Sequence, residues 1–477
     1  MNNNIFLKNA INMILSNMLT LLISFLSAFV TPVILGHDQY GYYKIFTLYI
    51  TYVPLLHMGF VDGILIKYAG KNLEDISVEK FRSYTKFFFL FESILSLMMI
   101  MISLIIPVGL PYKKIFIAVS IYSLLLNMLT YFQFFSKCIM KFSELAATTR
   151  LQSYITFAYL AFAYVTYKFD IYKVNVIYYL VFMCLTVLIV LIWYVFTYKT
   201  IVFGNRKSIK DEKYEIMDLF KTGFAVMFSY QVIMFIINAD NQFISTFFSV
   251  SDYSTYAFSY SLAFILVTVF GALTSIFLPY MKKAGEKNII DKYDVNLSVI
   301  CLLIFCIIIS YYPIRFIVNN YLASYTESAK YLSIVFPGVG ITCIIQSYFF
   351  NNYILLKKMK SFCTISLINL GFDYLIYYIF YLLFKNIFII ALLSIPLLLT
   401  WYLSLELYTK ILIKVKIINN LIYVTLMSFL FIFINHLFNY YIGMYIYILL
   451  YIIITMLFYH KIVLKLLKSF INLIHIY

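Results

Sequence analysis

The sequence carries little charge and lacks the short motifs of the common enzyme classes. Only 12% of its 477 residues are Asp, Glu, Lys or Arg, whereas 64% are hydrophobic. It contains no Gly-x-x-x-x-Gly-Lys-Ser/Thr loop, which excludes a P-loop ATPase within this chain. It contains no Asp-x-Asp pair, which argues against a metal-dependent membrane glycosyltransferase. We find no other arrangement of residues that is typical of an active site, so we predict no catalytic residue.

Cysteine and histidine are scarce as well. The six cysteines form no Cys-x-x-Cys pair and lie in or beside apolar stretches, where cysteine is typically a small core residue. The five histidines stand at no metal-ligand spacing. We therefore predict neither a metal site nor a cofactor.

Long apolar stretches fill the sequence instead. A helix needs about 20 apolar residues to cross a hydrocarbon layer of about 30 Å, and a helix satisfies its own backbone groups in lipid. Fourteen stretches reach this length, so the fold class that we predict is an all-α, polytopic membrane protein. The predicted spans are roughly residues 9–35, 42–66, 85–108, 115–136, 145–167, 174–198, 220–247, 254–280, 294–312, 328–355, 361–383, 386–408, 420–438 and 442–460.

Basic residues concentrate in every second gap between the predicted spans. With the N-terminus in the cytoplasm, 28 of the 36 Lys and Arg fall on the cytoplasmic side and 8 on the other. The positive-inside rule therefore predicts that both termini are cytoplasmic. Because the net charge of +16 is spread over many loops, it does not indicate nucleic-acid binding. Lys461, Lys465 and Lys468 predict an amphipathic tail that lies along the inner membrane surface.

The two halves of the chain resemble each other. Three short segments recur in order: Tyr40-Gly-Tyr-Tyr43 as Tyr253-Ser-Thr-Tyr256, Lys67-Tyr-Ala-Gly70 as Lys282-Lys-Ala-Gly285, and Met140-Lys141 as Met359-Lys360. Six spans per half make this a parallel repeat, and transporters commonly bind substrate between such halves. We predict an N-terminal lobe (1–198), a cytoplasmic linker (199–217), a C-terminal lobe (218–410), and two further spans with the tail (411–477).

Polar residues form a stripe along the first span and a cluster in its repeat partner, the seventh. The stripe is Asn9, Asn12, Ser16, Thr20, Ser24, Ser27 and Thr31, and the cluster is Asn238, Asp240, Asn241, Gln242, Ser245 and Ser249. Such residues either pack helices together or face a water-filled cleft, and their presence in both helices favours the cleft. The predicted substrate-lining residues are Asn12, Ser16, Thr20, Ser24, Ser27, Lys44, Thr47, Thr51, Arg150, Asn238, Asn241 and Gln242.

Acidic residues within spans are functional candidates, because a charge at mid-membrane costs about 2.5 kcal/mol or more. Asp240 lies in span seven, Asp373 near the middle of span eleven, and Glu92 about two turns into span three. These three are the predicted ion-coupling residues. Asp62 and Glu406 lie near the inner ends of spans two and twelve, where we expect an interfacial position.

Two basic residues also enter the spans. Lys44 lies in the outer turn of span two, with Thr47 and Thr51 on the same face, and Arg150 lies at the start of span five. Each is either an interfacial anchor that extends its charge towards the headgroups or a ligand for an anionic substrate.

Proline and glycine mark places where spans can bend. Pro54 falls in the middle of span two, and Pro337, Gly338 and Gly340 interrupt span ten. Proline removes a backbone hydrogen bond and kinks a helix. We predict hinges at these two places, the alternative being plain packing kinks.

The chain resembles a bacterial O-antigen (Wzx-type) flippase. The residues that carry this resemblance are Leu35-Gly-His-Asp-Gln-Tyr-Gly41 between the first two spans, Gly59 followed by Lys67-Tyr68, and Asp240 followed by Tyr253. This family belongs to the polysaccharide-transport branch of the multidrug/oligosaccharidyl-lipid/polysaccharide exporter superfamily. Span count and the two-lobe repeat extend the resemblance over the whole chain.

The resemblance implies a V-shaped pair of six-helix lobes, with spans one, two, seven and eight around a central cleft. It implies a cargo of undecaprenyl-diphosphate-linked oligosaccharide, moved from the cytoplasmic to the periplasmic leaflet of the bacterial inner membrane. It also implies contacts with membrane lipids and points to a polymerase and a chain-length regulator as partners. The chain departs from the related lipid II flippases in having few basic residues deep in its spans, with Lys44 and Arg150 as the candidates for the diphosphate.

Two other functions are open to a chain of this composition. One is a drug or cation antiporter of the same superfamily, in which Asp240 or Asp373 would bind a proton or a sodium ion. The other is a membrane-embedded glycan polymerase, which the short predicted outer loops disfavour because such an enzyme would need a large outer loop for its site.

Overall fold

The computed structural model describes the backbone of residues 3–71, 74, 76–284, 291–413 and 419–474. Within these ranges it describes the side chains of all but residues 3–10, 265, 268–269, 271–284 and 465–474. The Asn9 side chain, Gly285, and the side chains of Lys465 and Lys468, which the sequence singled out, lie outside the described residues. The chain divides into two compact units, Met1–Met234 and Phe235–Tyr477.

The first unit consists of helices joined by short loops. Its helices are α1 (Asn3–Ile50), α2 (Phe60–Tyr68), α3 (Val78–Ile105), α4 (Leu110–Cys138), α5 (Phe142–Lys168), α6 (Val176–Thr197), α7 (Lys199–Val202) and α8 (Lys213–Ile237). The boundary between the two units falls within α8, near its end.

The second unit is also helical. Its helices are α9 (Ala239–Phe247), α10 (Val250–Ala284), α11 (Tyr293–Ile307), α12 (Tyr311–Tyr321), α13 (Ser328–Ile344), α14 (Phe350–Leu355), α15 (Met359–Phe384), α16 (Ile387–Ile413), α17 (Asn419–Leu437) and α18 (Tyr440–Ile474). A π-helical segment, Ile345–Phe349, joins α13 to α14.

The helices lie where the sequence predicts spans, so the all-α membrane fold is confirmed. In the described part of the chain, 11 helical stretches are long and apolar enough to cross a membrane. The first of them, Ile11–Leu55, contains two predicted spans. Two further predicted spans fall on α5 and α10, helices of 27 and 35 residues that are not among the 11.

Several predicted spans are broken rather than continuous. Gly36 (φ 69°) kinks α1 between the first two predicted spans, and glycine tolerates this left-handed conformation at no steric cost. The second predicted span unwinds between Ile50 and Phe60 around a 3-10 turn, Val53–Leu55, that contains Pro54. The seventh is interrupted at Asn238, between α8 and α9. Breaks of this kind in membrane helices free backbone groups that neighbouring side chains must satisfy.

Three glycines let α2 and α8 cross with their backbones in contact. A Cβ on Gly59 would collide with the backbone of Phe224, and one on Gly63 would collide with the backbone of Leu219. A Cβ on Gly223 would in turn collide with the Gly59 carbonyl. Small residues at helix crossings allow this close approach in membrane proteins. Gly59 also has a φ of 84°, so glycine is needed there for conformation as well as for space.

An ion-pair network ties the start of α8 to the same region of the first unit. Lys67 lies 3.1 Å from the Asp218 carboxylate and 3.2 Å from that of Glu215. Lys80 lies 2.6 Å from Glu215, and the Tyr68 hydroxyl donates to Glu215 at 2.8 Å. Because several charges share one carboxylate, this network fixes α8 more firmly than an isolated surface pair would.

Candidate functional site

The polar stripe of α1 is partly used for packing within the first unit. The Ser16 side chain is fully buried and donates to the carbonyls of Asn12 (2.7 Å) and Ala146 (3.2 Å). The Thr20 and Ser153 hydroxyls lie 2.9 Å apart, which links α1 to α5 a second time. The packing alternative that the sequence left open therefore describes Ser16.

The stripe contains both buried and exposed hydroxyls. Thr31 is buried, and its hydroxyl lies 3.1 Å from those of Ser27 and Tyr179. Ser24 and Thr20, by contrast, are exposed, and Ser27 is half-buried. For these three hydroxyls a role in lining a substrate path stays a prediction.

Lys44 lies between aromatic rings and away from any carboxylate in the described part of the chain. Its ammonium lies 5.4 Å from the ring centroids of both Tyr40 and Tyr43. Such cation–π contacts stabilise a charge without neutralising it. The neighbouring Thr47 and Thr51 hydroxyls donate to carbonyls of their own helix, at 3.0 and 2.6 Å.

Arg150 is half-buried on α5, and its guanidinium donates to Ser16 Oγ at 3.0 Å. It forms no ion pair with a described carboxylate. A guanidinium has five donors, so Arg150 keeps donors for a further ligand. The stripe residue Ser16 thus also positions a cation.

Glu92 lies inside the first unit and is 1% exposed. Its Oε2 accepts from Asn127 at 2.9 Å, and the Asn127 amide also lies 3.4 Å from the Val53 carbonyl in the broken second span. The other oxygen, Oε1, has no hydrogen-bond partner. The carboxyl therefore lies next to the break around Pro54, a connection that the sequence alone does not reveal.

The second unit contains a buried carboxylate at the break in the seventh span. Asp240 is 7% exposed. Its Oδ2 accepts a hydrogen bond from the Tyr256 hydroxyl, and its Oδ1 accepts one from the backbone N–H of Asn241 at 2.7 Å. Asn238 and Asn241 are buried too, and Gln242 is half-buried. Tyr260 donates to the Ile237 carbonyl that the break exposes.

Asp373 lies close enough to Asp240 for the two carboxyls to interact electrostatically. Asp373 is 2% exposed, and its Oδ1 has no hydrogen-bond partner. The side chain belongs to the narrow buried face of α15, which consists of Phe362, Ser366, Asn369, Asp373 and Tyr377. A mostly exposed helix thus buries these polar residues, as membrane helices with ionisable residues generally do.

The structure brings Asp240, Asp373 and Asn369 into one region of the second unit and places Glu92 in the first unit. Two acidic groups with amide and hydroxyl neighbours can hold a proton or a monovalent cation. Among the described residues, no group of three or more His, Cys, Asp or Glu could hold a metal ion. The sequence alone did not indicate that Tyr256 contacts Asp240, although the internal repeat aligns Tyr256 with Tyr43.

The predicted hinge in span ten is a continuous helix in this structure. Pro337, Gly338 and Gly340 lie within α13 and are fully packed. A Cβ on Gly340 would approach Ile308 to 3.0 Å, so this glycine allows close packing. The irregular backbone lies just beyond, in the π-helical segment, and π-helical turns often mark functional sites. Bending at Pro337–Gly340 stays a prediction.

The interfacial position expected for Glu406 stays a prediction. Its side chain is 1% exposed, and it pairs with Lys410 at 3.1 Å inside the second unit. Position along a span indicates depth but not the direction in which a side chain points, so the sequence alone does not predict this burial. Asp62 is half-buried, with its carboxylate 3.8 Å from His57 Nδ1.

These long apolar helices define a polytopic, all-α membrane protein. No family model matches the sequence, and no curated protein matches it. A solved structure of the lipid II flippase MurJ, in an inward closed conformation, is similar with a TM-score of 0.68 at 16% sequence identity. The similarity covers 96% of this chain and 100% of that one. The chain therefore shares its overall fold with this flippase structure.

Proposed function

We propose that the protein is a flippase that moves a lipid-linked oligosaccharide across the membrane by alternating access. The observation that carries this proposal is the fold, which matches a lipid II flippase over almost the whole chain. The short motifs shared with Wzx-type flippases support a surface-polysaccharide unit on undecaprenyl diphosphate as the cargo. We further propose the bacterial inner membrane as the location, with cytoplasmic termini and transport towards the periplasm.

The physical task explains why polar groups are placed within an apolar helical protein. Each polar group of the diphosphate and sugars costs several kcal/mol if it enters hydrocarbon without a partner. Exposed hydroxyls such as Ser24 and Thr20, and the amide of Gln242, offer such partners at membrane depth. The prenyl chain needs none and can stay in the lipid.

Lys44 and Arg150 are the proposed ligands for the diphosphate. Both belong to the first unit, and neither is neutralised by a described carboxylate. A guanidinium suits a phosphate because it can make two parallel hydrogen bonds, and a lysine binds it as a point charge. Few basic residues lie deep in the spans. The two that do contact uncharged partners, Lys44 the rings of Tyr40 and Tyr43 and Arg150 the hydroxyl of Ser16, so their charges stay available for the diphosphate.

Asp240 and Asp373 are the proposed coupling residues. Two interacting carboxyls that are both buried favour the uptake of a proton or a cation, because an uncompensated pair of charges is costly in a low-dielectric interior. Moving one charge through the membrane potential involves about 2.3 kcal/mol per 100 mV. That energy suffices to bias the cycle in one direction. Glu92 is a further candidate, a buried carboxyl in the first unit whose Oε2 accepts a hydrogen bond from Asn127.

Deletion of the gene tests the function. We expect loss of surface polysaccharide, together with accumulation of lipid-linked oligosaccharide on the inner leaflet, measured by its protection from a membrane-impermeant label. Complementation with the wild-type gene is the control. Unchanged surface polysaccharide would refute the assignment. Crosslinking in the same strains tests the further proposal that a polymerase and a chain-length regulator are partners.

A further inference from the structure

A second polar cluster lies inside the second unit, apart from Asp240 and Asp373. It joins the start of α11 to the end of α16 and to the segment that contains the π-helical turn and α14. Its members are Tyr293, Asp294, Tyr348, Asn352, Tyr402, Glu406 and Lys410. We call these residues the inner cluster.

The inner cluster contains two carboxylates and one ammonium that interact directly. Lys410 lies 3.1 Å from Glu406 Oε1, and Asp294 interacts electrostatically with both Lys410 and Glu406. Glu406 is 1% exposed and the Lys410 side chain 10% exposed, whereas Asp294 is half-buried. The three side chains carry a net charge of −1, which the cluster itself does not neutralise. A buried charge of this kind requires a counter-charge.

Several polar atoms of the inner cluster have no hydrogen-bond partner. They are Oε2 of Glu406, Oδ1 of Asp294, both amide atoms of Asn352, and the hydroxyls of Tyr293 and Tyr402. Asn352 is fully buried and lies beside Tyr348, whose hydroxyl donates instead to the Tyr293 carbonyl. Buried polar atoms in folded proteins are nearly always paired with protein, water or an ion. So many unpaired atoms in one place indicate a ligand.

The chemistry of these atoms selects the ligand. Five of the six are oxygens, from carboxylates, an amide and phenols, which suit a hard cation. One positive charge would bring the net charge of the cluster to zero, which favours a monovalent ion over a divalent one. Asp294, being only half-buried, provides the route by which the ion and its remaining water would enter.

We propose that the inner cluster binds a partly hydrated monovalent cation of the sodium type. The carboxylates of Glu406 and Asp294 supply the charge, and the Asn352 amide oxygen and the two tyrosine hydroxyls complete the set of ligands. Lys410 holds Glu406 in place. This site does not depend on which cargo the protein carries.

Sodium binding to the purified full-length protein tests the site. Radiolabelled sodium is measured by equilibrium dialysis in the Asp240→Asn/Asp373→Asn background, which removes both carboxyls of the other candidate site. We expect saturable binding of one ion per chain and its loss in the additional variant Glu406→Gln. Absence of saturable sodium binding in that background would overturn the proposal. Tyr402→Phe, which removes one hydroxyl and leaves all charges, should weaken binding by roughly tenfold.

Thermal unfolding with Asn352→Leu gives an independent readout. If a cation binds there, wild-type protein unfolds at a higher temperature in sodium chloride than in choline chloride, and the leucine variant loses this difference. If the cluster holds no ion, removing an unpaired buried amide should raise the unfolding temperature equally in both salts, and the proposal fails. Ser428→Ala on α17 is the matched control, because its buried hydroxyl is also unpaired and lies outside the inner cluster.

Discussion

The two helices that the repeat pairs, α1 and α8–α9, use their polar residues in opposite ways. In α1 the buried hydroxyls of Ser16 and Thr31 find partners on α5 and α6. In α9 a buried carboxylate, Asp240, is held by a tyrosine and a backbone amide and interacts with a second carboxylate, Asp373. The first arrangement satisfies neutral groups, whereas the second concentrates negative charge.

This difference separates structural from functional polarity in a membrane. A neutral hydroxyl inside a helical bundle needs only one partner and contributes about 0.6 kcal/mol. Two carboxyls in one buried place are costly unless a proton or cation joins them. Charge that remains uncompensated within a unit is therefore a better guide to function than polarity alone. Lys44 and Arg150 are likewise charged and have no carboxylate partner among the described residues.

The largest effect is expected from Asp240→Asn, which should lower the flipping rate by about 10- to 100-fold, the range found when a group that orients the ligands of an ion site is lost. Asp373→Asn should have the same effect, and the double variant should be no worse, because both carboxyls serve one site. Flipping is measured with a fluorescent lipid-linked oligosaccharide in proteoliposomes. Asp252→Asn, an exposed carboxylate at the start of α10, is the control. Normal flipping by Asp240→Asn at equal abundance would make Asp240 structural.

A change at the crossing of α2 and α8 should abolish folding rather than transport. Gly223→Val would drive a side chain into the Gly59 carbonyl where α2 and α8 cross. We expect little folded protein in the membrane, measured by size-exclusion chromatography of a fluorescent fusion. Gly371→Val, whose Cβ would meet no described neighbour within 4 Å, should fold normally. Equal yields of both variants would show that the backbones of α2 and α8 lie farther apart at this crossing than the structure describes.

Arg150→Gln and Lys44→Gln should each lower flipping by about tenfold, the loss of one charge-assisted hydrogen bond to phosphate. Arg150→Lys should recover part of the activity, because it restores the charge without the planar donor set. Binding of a polyprenyl diphosphate is the second measurement, and it should weaken in parallel. The exposed Lys358→Gln is the control. Unchanged diphosphate binding in both variants would exclude these residues as its ligands.

The sequence predicts the fold better than the site because the two depend on different information. Length and hydropathy of a span determine that a helix crosses the membrane, and the helices form where the sequence places them. Whether Ser16 faces a neighbour or Glu406 faces the interior depends on helix rotation, which a single polar stripe does not determine. The helix break at Asn238 is equally invisible, since no glycine or proline marks it. The buried face of α15 is the exception, because Ser366, Asn369, Asp373 and Tyr377 repeat at helical spacing.

The smallest expected effect is that of Ser16→Ala, and it tests the α1 side of the comparison. Removing the hydroxyl should cost about 0.6 kcal/mol of stability and change flipping by less than about twofold, because Arg150 keeps its charge and its other donors. Ser24→Ala, on the exposed part of the same stripe, should leave stability unchanged but reduce flipping if that part contacts the cargo. Unfolding and flipping measured on both variants separate these roles. A large transport defect in Ser16→Ala with normal transport in Ser24→Ala would mean that the packed, not the exposed, hydroxyls of α1 serve transport.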